Sequence, residues 1–195
     1  MALLNRLRKI SFTLSCLILL SAYSSTSASA PPALTDTQAK IVIIFNFLSK
    51  YVSWPGNYAL SQTNNVSVCS IGHDDVTQEI GVLKNASREG LQVDVLRLQT
   101  MKHAKDCHVL YVAESERPNL SYILNTLQNA PVLTVSTVDN FINNGGMVGL
   151  LSEIERRGAF EKTFIRYEVN AANAHDKQLR INPDALELAT KVVRP

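Results

Sequence analysis

Three cysteines (Cys16, Cys69, Cys107) and four histidines (His73, His103, His108, His175) are the side chains here suited to redox, nucleophilic or metal chemistry. The densest group is His103, Cys107 and His108. A closed zinc site takes four ligands, and no fourth donor stands nearby. His108 also opens an apolar run that reads as a strand, which turns it away from the other two. The histidines read better as isolated structural or surface residues. A Cys107 nucleophile with His108 as its base meets the same objection, because adjacent residues on a strand point to opposite faces. Ser70 near Gly72 lacks the flanking glycines of a nucleophile elbow. The turn at Gly72 and His73 is no glycine-rich phosphate loop. Asp74 and Asp75 read as a helix cap. The residues therefore point away from an enzyme and call for no cofactor.

The cysteines say more about location. Arg6, Arg8 and Lys9 precede a mostly apolar stretch over residues 10–22, and small residues follow up to Ala30. That is the layout of a secretory signal peptide, and the apolar stretch is short of the ~20 residues that span a bilayer. We expect residues 1–28 to be the signal, with Ala30 as the alternative cleavage point. Cys16 would leave with it. Cys69 and Cys107 would then reach an oxidising compartment, the periplasm, where an even pair is a candidate disulfide. Such a bridge closes a loop of about 39 residues and restricts the unfolded chain by roughly 4 kcal/mol. The alternative is two buried free thiols in neighbouring strands.

Residues 31–195 are expected to form a single domain on size alone. The whole chain has a formal net charge of +2, but three of its 19 basic residues lie in the signal and none of its 17 acids does. The exported chain therefore has no basic excess with which to hold nucleic acid.

Thr35 and Gln38 form a capping-box pattern. It opens a helical run through Ile41, Ile44, Phe45, Leu48 and Val52, which Pro55 ends. Trp54, beside Tyr51 and Tyr58, reads as core rather than as a partner anchor. Alternation over residues 66–71, ahead of Gly72, predicts a strand. A helix should follow from Asp74 to about Gly90, then strands over 91–98 and 108–113. A helix through Leu120, Ile123, Leu124 and Leu127 leads to a strand over 132–135. Strand and helix alternating in this way predict an α/β fold, a mostly parallel sheet flanked by helices on both faces. The last third reads as a C-terminal β-hairpin, with strands over 147–151 and 164–169 joined by a long charged loop. A final helix follows, opened by Pro183 and carrying Leu186, Leu188, Ala189 and Val192.

Several segments, in order, resemble the YfiR family of periplasmic proteins. They are Lys40 with Phe45, Asn46 and Phe47; Lys50, Tyr51, Val52, Trp54 and Pro55; residues 68–72 around Cys69; residues 106–112 around Cys107; residues 131–136; Phe141 with Gly145, Gly146, Met147 and Val148; and residues 165–170. The resemblance covers nearly all of residues 31–195. It implies an α/β regulator that dimerises, binds the periplasmic sensor domain of a membrane-bound diguanylate cyclase (YfiN-like) and represses it. An outer-membrane lipoprotein (YfiB-like) would relieve the block. By position, Cys69 and Cys107 match cysteines that can pair in the family. A further cysteine pair that some members carry around residues 141–153 has no counterpart here, and the connection over residues 152–163 is longer than usual.

The function expected is therefore repression of c-di-GMP synthesis by binding, with biofilm control as its consequence. The alternative is a periplasmic small-ligand module. Its site should lie beyond the carboxyl ends of the strands, near His73, Glu114 or Ser136. A thiol–disulfide enzyme is a third reading, but it lacks C-x-x-C.

Overall fold

The computed structural model describes residues 34–56, 65–86, 90–158 and 160–195. The expected signal segment, Cys16 and Tyr58 lie outside these residues.

The first helix, α1 (Asp36–Asn46), begins as its sequence directs: Thr35 Oγ1 accepts from the Gln38 amide, and the Gln38 side chain accepts from the Thr35 amide. It continues as a π-helical turn through Phe47–Tyr51, which leads into the short strand β1 (Val52–Ser53). Then come β2 (Asn65–Ile71), α2 (Asp75–Glu79) with a 3-10 extension over Ile80–Asn85, and β3 (Gln92–Leu98). A 3-10 helix over Met101–Asp106 precedes β4 (Val109–Val112), and α3 (Leu120–Thr126) precedes β5 (Leu133–Ser136). β6 (Val148–Arg157) and β7 (Phe160–Asn170) form the hairpin. The chain closes with α4 (Ala171–Asp176), β8 (Arg180–Ile181), α5 (Pro183–Glu187) and β9 (Lys191–Val193).

Among the described residues, seven strands make one sheet in the order β3-β2-β4-β5-β6-β7-β9, and β1 pairs with β8 in a separate two-stranded ribbon. All neighbours in the large sheet are parallel except β6 and β7. Every residue of β4 and β5 is buried, as expected of parallel strands covered on both faces. Alternation along β2 sends Val66 and Val68 to one face, with Ile44 of α1, Phe47 of the π-helical turn and Val76 of α2. Cys69 and Ile71 go to the other, with Met101, Leu120, Ile123 and Phe141. The mostly parallel α/β fold expected from the pattern is what forms.

The last third departs from expectation in extent. The loop expected over residues 152–163 is almost entirely strand: Ser152 pairs with Ile165, Glu153 with Phe164 and Arg156 with Glu161. Charge-rich sequence suits an antiparallel pair wetted on both faces. Arg156 Nε binds Glu161 at 2.9 Å and Arg166 Nε binds Glu153 at 3.2 Å. Phe164 lies under the Lys162 ammonium and the Arg166 guanidinium. The turn itself contains Gly158, at φ +62°. The final helix is also shorter than expected. Pro183 does occupy its first turn, but the helix stops at Glu187. Val192 pairs instead with Val169 in the parallel β9–β7 ladder. The Leu186, Leu188, Ala189 spacing fits a helix and a closing segment equally well, so periodicity could not separate them.

Candidate functional site

Cys69, in the middle of β2, and Cys107, at the entry to β4, are bonded to each other with Cα atoms 6.0 Å apart. β2 and β4 are neighbours, so the bridge is a short staple between adjacent strands rather than a tie across the molecule. Cys69 is 0% exposed and Cys107 2%. Thiol–disulfide exchange requires a thiolate to reach a sulfur, so this cover must move before the pair can be reduced.

The histidines are dispersed. His108 turns to Ser67, whose amide donates to His108 Nδ1 at 3.2 Å, while its ring meets Trp54 edge-on at 5.7 Å. Trp54 itself is buried and donates from Nε1 to the His108 carbonyl. His103 is exposed beside Asp106, and His175 beside Asp176. Among the described residues, no three His, Cys, Asp or Glu side chains are grouped as a metal site requires.

The strand order reverses between β2 and β4, the switch point at which a doubly wound sheet opens a ligand crevice. Here that crevice is filled by the protein's own groups. The Asp74 carboxylate caps α2 by accepting from the Thr77 amide at 2.9 Å. Its other oxygen accepts from the Tyr111 hydroxyl at 2.7 Å and the Glu114 amide at 3.2 Å. A carboxylate thus occupies the position an anionic ligand would take at a helix start. Burial, with Asp74 adding to it, pushes the Tyr111 phenol far above its ordinary pKa. Gly72, at φ +81°, has Ser115 Oγ and Glu116 Cγ 2.6 Å from where a Cβ would sit. Of the three residues expected around a crevice, Glu114 is engaged by Arg117 at 2.8 Å. Ser136 is buried, donating to the Val112 carbonyl at 2.7 Å. His73 is exposed and lines an open groove.

That space lies to one side of the switch point, beyond the ends of β2 and β3. It is a groove of about 690 Å³ bounded by His73, Arg97, Leu98, Met101, Glu116 and Tyr122. A second groove, of about 450 Å³, lies on the far side of Tyr122 against Lys102, Lys105 and Thr126. Met101 and Ile123 lie beneath this surface and belong to the same buried cluster as Cys69 and Cys107. The sequence reading passed over Arg97, Lys102, Lys105 and Tyr122. One signal was available: Leu120, Ile123, Leu124 and Leu127 define the inward stripe of α3 and leave Tyr122 outside it. The cations had no such signal, because only the fold sets the end of β3 and the next 3-10 helix against Tyr122 of α3.

A family model described as YfiR/HmsC-like matches residues 37–190. No curated protein matches the chain. Among solved structures, a conserved domain protein from Vibrio cholerae is similar over 82% of this chain and 60% of that one, at 11% identity and a TM-score of 0.55. This chain thus spans less than two thirds of that protein's length, and the likeness bears on fold alone. An ABC domain in complex with L-Trp from Streptococcus pneumonia matches over 65% of this chain and 55% of that one, at 12% identity and a TM-score of 0.46.

Proposed function

Because the chain belongs to the YfiR/HmsC-like family, we propose that it is a periplasmic regulatory protein that acts by binding. It would be exported through its N-terminal signal and hold the sensor domain of an inner-membrane diguanylate cyclase inactive. A YfiB-like lipoprotein would compete for it, and it would work as a dimer. The observation that carries this reading is the family match across 37–190, nearly the whole described region. The chemistry of the fold agrees with it. The switch-point crevice is occupied by Asp74, and the cysteines are committed to each other rather than poised as nucleophiles. We assign Cys69 and Cys107 as the redox handle of the regulator, because their state sets how firmly β2 is tied to β4.

The test is genetic. Deleting the gene in a strain that expresses the protein should raise c-di-GMP and biofilm, and supplying the exported chain again should lower both. Unchanged c-di-GMP on deletion overturns the proposal. The small-ligand reading retains one observation in its favour, the groove beside His73 and Arg97. Its lining mixes cationic and anionic side chains around Leu98 and Met101. Small-molecule sites instead enclose most of a ligand and aim a few polar groups at it.

A further inference from the structure

The two grooves share Thr100, Met101 and Tyr122, and on the surface they form three cations stand against one carboxylate, that of Glu116. Arg97, Lys102 and Lys105 are exposed on it. Arg97 donates to the Thr77 carbonyl, and none of the three is in an ion pair among the described residues. The nearby acids are already engaged: Glu116 accepts from the Asn119 amide group at 2.9 Å, and Asp106 meets His103 at 3.2 Å.

Tyr122 stands at the centre of these cations and is 66% exposed, although its helix neighbours Ile123 and Leu124 are buried. An exposed aromatic over a rigid floor is the kind of anchor that dominates a protein interface. The floor is fixed here, because Met101 and Ile123 are packed with the bridged cysteines. Leu98, half-buried at the edge, adds an apolar foothold.

We infer that Tyr122 and its flanking grooves are the docking surface for an acidic segment of a partner protein that also presents an apolar side chain. Carboxylates of the segment would meet Arg97, Lys102 and Lys105, and its apolar residue would lie between Tyr122 and Leu98. The inference deepens the proposed function, since it names the surface by which such a regulator would hold its partner.

The test is direct binding of the chain without its expected signal, residues 29–195, to a short fluorescein-labelled peptide of glutamates around one phenylalanine, read by anisotropy. The expected result is saturable binding that weakens as salt is raised. It should fall about tenfold or more in Tyr122→Ala and in the Lys102→Glu, Lys105→Glu double variant. Lys162→Glu, a charge change of the same kind on the hairpin, should leave it unaltered. Urea midpoints equal to wild type establish that the variants are folded. No binding, equal binding of a lysine peptide, or undiminished binding in the folded variants overturns the inference. The cyclase is not needed for this readout. Peptide binding at this surface alongside unchanged c-di-GMP on gene deletion overturns the proposed function and leaves the docking surface standing.

Discussion

The Tyr111 hydroxyl donates to the Asp74 carboxylate across the gap between β4 and the start of α2, at 2.7 Å. The same carboxylate caps α2 through the Thr77 amide and receives the Glu114 amide. One side chain thus joins three chain segments at the place where related architectures hold a ligand.

Asp74→Ala should therefore cost more than an ordinary helix cap. Loss of the cap alone is worth about 1 kcal/mol, and orphaning the Glu114 amide while halving the partners of Tyr111 adds about 1–2 kcal/mol. Urea unfolding should show a loss of about 2–3 kcal/mol. Tyr111→Phe, which keeps the cap, should lose only about 1 kcal/mol. Equal losses in the two variants would show that the cap and the Glu114 contact add nothing beyond the Tyr111 hydrogen bond.

Replacing both bridged cysteines by alanine should lower stability by roughly 2–4 kcal/mol, seen as a lower urea midpoint. Because both sulfurs are buried, reduction of the wild-type bridge by dithiothreitol should be slow in buffer and accelerate as urea approaches the midpoint. A reduction rate independent of urea would mean that the cover over the bridge opens without unfolding.

Two glycines with positive φ should respond differently to alanine. Gly158 at φ +62° has open space at its Cβ position, so Gly158→Ala should cost about 1–2 kcal/mol from the left-handed backbone alone. Gly72 at φ +81° adds the 2.6 Å approach of Ser115 and Glu116. Gly72→Ala should therefore exceed that cost and also disturb the groove beside His73. Paired urea titrations of the two variants check the ranking.

Lys177 is almost wholly buried, and burial pushes its ammonium below the ordinary lysine pKa. The unfolded chain then binds more protons than the folded one between the lowered pKa and the ordinary value of 10.5. Stability from this group rises with pH through that window. Lys177→Met removes the dependence. The stability difference between variant and wild type should favour the variant most at neutral pH and narrow toward pH 9.5. Parallel curves over that range would show that the ammonium is solvated in the folded state.

Local patterns carried much of the fold into view. The capping box at Thr35 and Gln38, the strand ahead of Gly72, Asp74 at the head of a helix and Pro183 in a first turn all lie where their short-range chemistry puts them. What local pattern missed was pairing. Residues 152–163 look like a charged loop to any reading of burial, because a strand wetted on both faces has no apolar alternation. The partners that make them a strand, such as Glu161 for Arg156, come from the other arm. Val192 looked helical until β7 offered it an edge. At the candidate site, Tyr122 was legible as the residue off the apolar stripe of α3. Arg97, Lys102 and Lys105 were not, since a cation on a surface gives no sign of what lies across from it.

The sequence by itself determined the class of sheet, the starts of its helices and the family, because these rest on residue types at fixed short spacings. It also placed Cys69 in one strand and Cys107 just ahead of another. Only the tertiary structure decided that those strands are adjacent, that the bridge lies under Met101 and Ile123, and that Asp74 fills the switch point. Those outcomes depend on strand order and crossover path. Each is fixed by burial and pairing summed over the whole sheet rather than by any window of the chain.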